Sequence, residues 1–177
     1  TGNANFGYFA GNVPGSSTVQ RIDYSNDTAT ASARGNLSSQ HKFYAAVGNQ
    51  SFGYFVGDWS IGTRVDRIDY SNDTATAAAK GPLSVTRSAL AATGNASFGY
   101  FGGGFAPNKS SVDRIDYSND INGATPKGNL SRSIQYISAT GNADFGYWGG
   151  GGPGSSSKVD RLDYSNDSVT ALVRGPL

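Results

Sequence analysis

"RIDYSND" occupies Arg21–Asp27, returns letter for letter at Arg67–Asp73 and Arg114–Asp120, and appears once more as "RLDYSND" at Arg161–Asp167. A phrase kept in four places while its neighbours drift belongs either to a site used four times or to a structural unit built four times. Spacing favours the unit. Gly-Asn pairs begin at Gly2, Gly48, Gly94 and Gly141, 46, 46 and 47 residues apart. A fixed period of that size marks a repeat architecture whose units bury their apolar faces against one another. From Asp23, Asp69 and Asp116 to the next of these glycines the separation is 25 residues each time. The variation in length therefore falls between the "FGYF" and "VDRIDY" phrases, where a loop absorbs it.

Within the third copy, "RSALAATG" (Arg87–Gly94) is a short apolar run between turn signals, and "SFGYFGGG" (Ser97–Gly104) and "SVDRIDY" (Ser111–Tyr117) alternate with a period of two. A weaker fourth strand follows the repeated phrase, as in "TATASAR" (Thr28–Arg34) and "SVTALVR" (Ser168–Arg174). Four short strands in about 46 residues, joined by Gly, Asn and Asp turns, make one antiparallel propeller blade. The expected fold is an all-β propeller of four modules, approximately 1–37, 38–83, 84–130 and 131–177, within a single repeat domain. Labelling the strands a to d, the chain opens on the tail of a strand a and closes on a strand d, so the first blade lacks most of its inner strand. The absence of Met and the start in mid-pattern at Thr1 are those of a segment from a longer array. An unclosed stack leaves open blade edges, and self-association through them is expected.

Composition agrees. The 25 Gly, 10 Tyr and 9 Phe favour burial by aromatics on strands over helices. A net charge of +1, from 14 basic and 13 acidic residues, provides no footprint for nucleic acid or an anionic membrane. No stretch is apolar for long enough to span a membrane as a helix, so membrane insertion is not expected. Absence of Cys removes disulfides and thiol chemistry.

Each unit resembles a kelch repeat: an aromatic strand ending in glycines ("FGYFGGG", "YWGGGG"), an aromatic-Asp turn ("IDYSND") and an apolar strand opened by Arg ("RSALAAT"). The chain departs from that pattern where small residues such as Ala31 and Ala77 replace a tryptophan, and where "FAGN" and "FVGD" break the glycine doublet. The wording "FGYFGGG…VDRIDYSNDTATA" also resembles repeat segments of tail-fibre-like proteins of marine tailed phages. These resemblances imply a binding or structural module, extracellular or virion-associated, without cofactor or catalytic residues. Copper oxidases on related propellers need Cys, Tyr and His ligands, and this chain has no Cys and one His.

Two readings of the repeated phrase compete. Asn and Asp form turns without any ion. Alternate oxygens would also suit calcium, with Asp23, Asp27, Asp69, Asp73, Asp116, Asp120, Asp163 and Asp167 as candidate ligands, but the glycine and distal carboxylate of a calcium loop are missing. The turn reading is preferred and no metal is expected. Arg and Asp of adjacent copies pair between stacked sheets in one reading of "VDRIDY" and face solvent in the other. His41, set against Thr86 and Ser133 of the other copies, reads as a surface loop residue.

In an antiparallel blade the a–b and c–d turns share one rim, and the b–c loops and d–a crossovers share the other. The first rim carries the repeated "TGNA" and "DYSND". The second carries the variable "GNVPGSST", "GDWSIGT", "GGFAPNKSS" and "GGPGSSSK", with "SSQHKFY", "SVTRSAL" and "SRSIQYI". Variable loops above a rigid frame are where ligand-binding residues sit. The candidates for a protein or carbohydrate ligand are Asp58, Trp59, Phe105, Asn108, Lys109 and Lys158 from b–c, and Gln40, His41, Lys42, Arg87 and Arg132 from d–a, with Trp59 as anchor. A passive repeat scaffold is the alternative.

Overall fold

The computed structural model describes residues 1–177 except 12–14, 59–61, 106, 153 and 155. The alternating segments form strands, and no α-helix occurs among the described residues. Blade 1 holds β1 (Phe6–Ala10), β2 (Val19–Asp23) and β3 (Ser32–Ala33); blade 2 holds β4 (Ala45–Gly48), β5 (Phe52–Val56), β6 (Val65–Asp69) and β7 (Ala78–Lys80). Blade 3 holds β8 (Ala91–Gly94), β9 (Phe98–Gly102), β10 (Val112–Asp116) and β11 (Thr125–Lys127). Blade 4 holds β12 (Ser138–Gly141), β13 (Phe145–Gly149), β14 (Val159–Asp163) and β15 (Leu172–Arg174). Strands pair antiparallel with their sequence neighbours, giving three four-stranded sheets and one three-stranded sheet. In blade 1 the inner position keeps only its tail, where Gly2 bridges Gly7 as Gly48 pairs with Gly53 in blade 2. Inner strands β4, β8 and β12 lie side by side, and the stack is open, with a free face at each end.

The repeated phrase begins as a turn. Asp69 is extended and its carboxylate accepts the Ser71 N–H at 2.9 Å and the Ser71 hydroxyl at 2.6 Å, starting a short 3-10 turn over Tyr70–Asn72. Asp23, Asp116 and Asp163 cap their own turns the same way. Tyr70 then folds over the strand beneath it: a Cβ on Gly53 would stand 2.6 Å from the Tyr70 hydroxyl, so the "FGY" position must be glycine.

Apolar burial lies between blades. On one face of each blade, Tyr54, Val56 and Val65 with Leu83 form a hollow, and Phe101 of the next blade fills it. Phe55 seats likewise against Tyr8, Ala10, Val19 and Leu37, and Trp148 against Tyr100, Val112 and Leu130. The aromatics on the "FGY" face divide in this scheme. Tyr8, Tyr54 and Tyr100 are buried; Phe6, Phe52, Phe98, Phe145 and Tyr147 are half-buried. The third aromatic of each "FGYF", on the opposite face, is the inserted knob. Tyrosines also stack across each junction, with ring centroids 4.6 Å apart for Tyr8–Tyr70, 4.8 Å for Tyr54–Tyr117 and 4.4 Å for Tyr100–Tyr164.

The phrase ends as a clasp. Its last aspartate reaches back to the preceding blade: Asp73 accepts the Tyr8 hydroxyl at 2.8 Å and Arg21 at 2.8 Å, with Arg34 at 3.1 Å. Asp120 takes Tyr54 (2.8 Å), Arg67 (2.7 Å) and Lys80 (3.2 Å); Asp167 takes Tyr100 (2.9 Å), Arg114 (2.7 Å) and Lys127 (3.1 Å). Each arginine is held over the phenylalanine that opens its own "FGY" strand, 4.0 Å from the ring centroid for Arg21 on Phe6. Burial and then the Asp73 carboxylate push the Tyr8 phenol up to about 12, keeping it a donor. Gly35, Gly81 and Gly128, just past the basic residue, donate their N–H groups to the carbonyls of Asp73, Asp120 and Asp167.

Arg21, Arg67 and Arg114 of the repeated phrase therefore pair between sheets, but with the last aspartate of the next copy; the aspartates of "VDRIDY" do not, Asp66 being held by His41 and Ser38 and Asp69 by its own turn. The alternate oxygens do not converge as calcium ligands. Asp23, Asp69, Asp116 and Asp163 are turned into their own turns. Asp73, Asp120 and Asp167 are committed to a neighbour's cations, while Asp27 faces solvent. Among the described residues no three His, Cys, Asp or Glu side chains gather around one point. Asp120→Ala should lower stability by about 2–3 kcal/mol, below the ~3–5 kcal/mol of a fully enclosed pair because the arginine keeps some water. Asp144→Ser, at an exposed turn position that is Ser51 and Ser97 in other copies, should leave the urea midpoint unchanged. Equal midpoint shifts in the two variants would show that the clasp contributes nothing.

Candidate functional site

The b–c loops and d–a crossovers do share one rim, and the backbone knits them together. Ser16 bridges His41, Ser88 bridges Phe105, Lys109 bridges Ile134 and Gln135 bridges Gly152, so each crossover is tied to the loops beside it. These bridges tie the described parts of the loops and crossovers to one another.

Beneath this surface lie three equivalent carboxylates, Asp66, Asp113 and Asp160, each fully enclosed. A buried carboxylate needs a partner, and the blades answer in three ways. His41, at 0% exposure, points Nδ1 at the Gly57 carbonyl (2.9 Å) and Nε2 at Asp66 (3.1 Å), and Ser38 donates both its N–H and its hydroxyl to Asp66. Arg87, also at 0%, donates to the carbonyls of Phe101 (3.2 Å), Gly103 (3.0 Å) and Ser111 (2.7 Å) and to Asp113 (3.2 Å). In blade 4 Ile134 stands where His41 and Arg87 stand. Arg132, two residues earlier, reaches the equivalent carbonyls of Gly150 (2.9 Å) and Lys158 (3.3 Å) and the Ser156 hydroxyl. One oxygen of Asp160 is left without a hydrogen-bond partner.

The alignment of His41 with Thr86 and Ser133 is therefore one residue out of register. The inner strands start at Ala45, Ala91 and Ser138, which sets His41 against Arg87 and Ile134. His41 is an internal plug, and the expected surface position is corrected by its hydrogen bonds to Gly57 and Asp66. Burial alone would pull its imidazole down, but Asp66, the Gly57 carbonyl and Asp58 outweigh that and raise it above 6.5. For Asp66, burial pushes upward and the bonds from His41 and Ser38 prevail, holding it below 3.8. Burial pulls the Arg87 guanidinium below its ordinary value, and Asp113 opposes this.

The remaining candidates divide. Asp58 is buried beside His41, correcting its expected exposure. Phe105, Asn108, Lys109 and Lys42 are half-buried, with Phe105 and Lys109 in the backbone bridges. Gln40 and Lys158 face solvent. Arg87 and Arg132 are spent as plugs. Trp59 lies outside the described residues.

A further set of rim residues carries no sequence signal. Phe43, Ala89 and Tyr136 have φ of 56°, 50° and 51°, the left-handed region that disfavours residues with a Cβ. They occupy one position in successive crossovers, and main-chain bonds join them: the Ala89 N–H donates to the Phe43 carbonyl (2.7 Å), and the Tyr136 N–H to the Ala89 carbonyl (2.9 Å). These junction bonds hold a conformation costing about 1–2 kcal/mol per residue. The row leaves Phe43 41% and Tyr136 59% exposed on either side of buried Ala89.

No protein-family model matches the chain, and no curated protein matches its sequence. Geometry alone carries the reading of this rim.

Because folding raises the His41 pKa, the folded chain holds that proton more tightly than the unfolded chain. The stabilisation is complete below pH 6.5 and is lost as pH rises through the higher folded-state value. Melting temperature should fall as pH rises above 6.5, and His41→Gln should flatten that slope. An unaltered slope in the variant would assign the pH dependence elsewhere.

Proposed function

We propose that this chain is a kelch-like propeller segment that binds carbohydrate without catalysis, through the rim of b–c loops and crossovers, in an extracellular or virion-borne setting. The observation that carries the reading is the left-handed row Phe43–Ala89–Tyr136. Backbone strain persists only where surrounding structure enforces it, and it collects at binding sites. Here it holds two aromatic side chains out to solvent with a small residue between them. Aromatic faces suit the apolar C–H faces of sugar rings, and the Tyr136 hydroxyl adds a polar handle. Solvent-facing Gln40 lies three residues from Phe43 and supplies further hydrogen-bonding groups. A braced rim pays little ordering entropy on binding.

The alternative of a passive scaffold is favoured by one observation: three of the varied rim residues, His41, Arg87 and Arg132, act as internal plugs. A glycan array followed by titration of the best hit distinguishes the two. Tyr136→Ala and Phe43→Ala should each weaken binding at least about tenfold, while Thr76→Ala on the opposite rim should not. Loss in the Thr76 variant alone would place recognition on the wrong rim. Absence of glycan binding would remove the carbohydrate reading and leave a protein ligand or the scaffold.

A further inference from the structure

The two end faces of the stack carry the two halves of the junction that the chain builds three times internally. On the free face of blade 1, Phe9 stands at the position of the knobs Phe55, Phe101 and Trp148, and it is 60% exposed, whereas those three are enclosed. Tyr24, equivalent to the stacking tyrosines Tyr70, Tyr117 and Tyr164, is 54% exposed. Asp27, equivalent to the clasped Asp73, Asp120 and Asp167, faces solvent.

On the free face of blade 4, Tyr147, Gly149, Val159 and Leu177 stand where Tyr54, Val56, Val65 and Leu83 receive Phe101. Together with Ser138, Ala139 and Thr140 they line an open hollow of about 180 Å³, and Leu177 is 78% exposed. Arg161 already lies over Phe145, 4.4 Å from the ring centroid, in the pose that Arg21, Arg67 and Arg114 adopt in their clasps. Among the described residues it has no carboxylate partner, unlike Arg21, Arg67 and Arg114. Arg174 stands at the position of Arg34, Lys80 and Lys127, the second cation of each clasp.

We propose that these faces bind each other between two copies of the chain, head to tail. Phe9 of one copy enters the Tyr147–Gly149–Val159–Leu177 hollow of the other. Asp27 is taken by Tyr147, Arg161 and Arg174, and Tyr24 stacks on Tyr147. The commitment to a second copy rests on complementarity of shape and of charge: one face presents the knob and the carboxylate, the other the hollow and the cations. Like faces do not match, so the contact is heterologous, and repetition closes a ring or continues as a filament. It is a contact between sheet faces and does not use the strand edges.

The test exploits that polarity. Phe9→Glu with Asp27→Arg disables the first face, and Arg174→Glu with Leu177→Asp disables the second. All four side chains are exposed, and circular dichroism should confirm that both double variants fold. In sedimentation velocity over a concentration series, the unaltered chain should gain mass with concentration, while each double variant alone should remain a single chain. An equal mixture of the two variants should double in mass and stop there, since it retains one intact face of each kind. A single-chain species at every concentration for the unaltered protein would overturn the proposal. So would self-association of either variant alone, or a mixture that stays single.

Discussion

At each junction one carboxylate, that of Asp73, Asp120 or Asp167, is drawn out of water and held by a phenol and two cations of the preceding blade. Removing a charge from water is costly, and three donors arriving from fixed directions are what makes the position tenable. Knob-in-hollow packing supplies most of the driving force for stacking. The carboxylate determines how one sheet sits on the next, because it is satisfied only when tyrosine, arginine and a terminal lysine or arginine converge. That explains why the phrase is repeated verbatim. Its arginine serves the junction ahead and its aspartate the junction behind, so every inner copy needs both ends intact.

The period, the blade, the two rims and the turn made by the first aspartate of the phrase were all legible in the sequence, since each depends on residues close together in the chain. Partners across a junction were not. Arg21 and Asp73 are 52 residues apart, and repetition offers each arginine four similar aspartates without saying which it meets. The knob was missed for a related reason. Period two places Phe98 and Tyr100 on one face, and attention to that pair passes over Phe101, whose face is covered by a different blade. The outer strands are shorter than alternation suggests: β3 is only Ser32–Ala33, because the residues before it are still occupied by the turn that follows Asp27.

On the second rim, variation among copies suggests freedom to acquire a ligand. His41, Arg87 and Arg132 show that variation also records different answers to one structural demand. Each brings a cationic or hydrogen-bonding group to the same glycine carbonyl above a buried aspartate. Blade 1 supports this account. There the position of Asp66, Asp113 and Asp160 is held by the uncharged Gln20, which calls for no cationic plug.

Divergence becomes informative once the backbone is known. Where copies differ in side chain and the differing groups converge on common inward partners, the difference is compensation, as with the plugs. At Phe43, Ala89 and Tyr136 the reverse holds: the backbone takes the same unfavourable φ in every crossover, and the two large side chains project outward. Phe43 and Tyr136 remain 41% and 59% exposed there. A left-handed backbone would be easier to form with glycine, whose use there would remove the cost at once. Keeping Phe43 and Tyr136 in that conformation carries a penalty in the folded chain, which the inter-blade bonds through Ala89 offset, and what the molecule gains is a pair of aromatic faces at a fixed spacing on a braced rim.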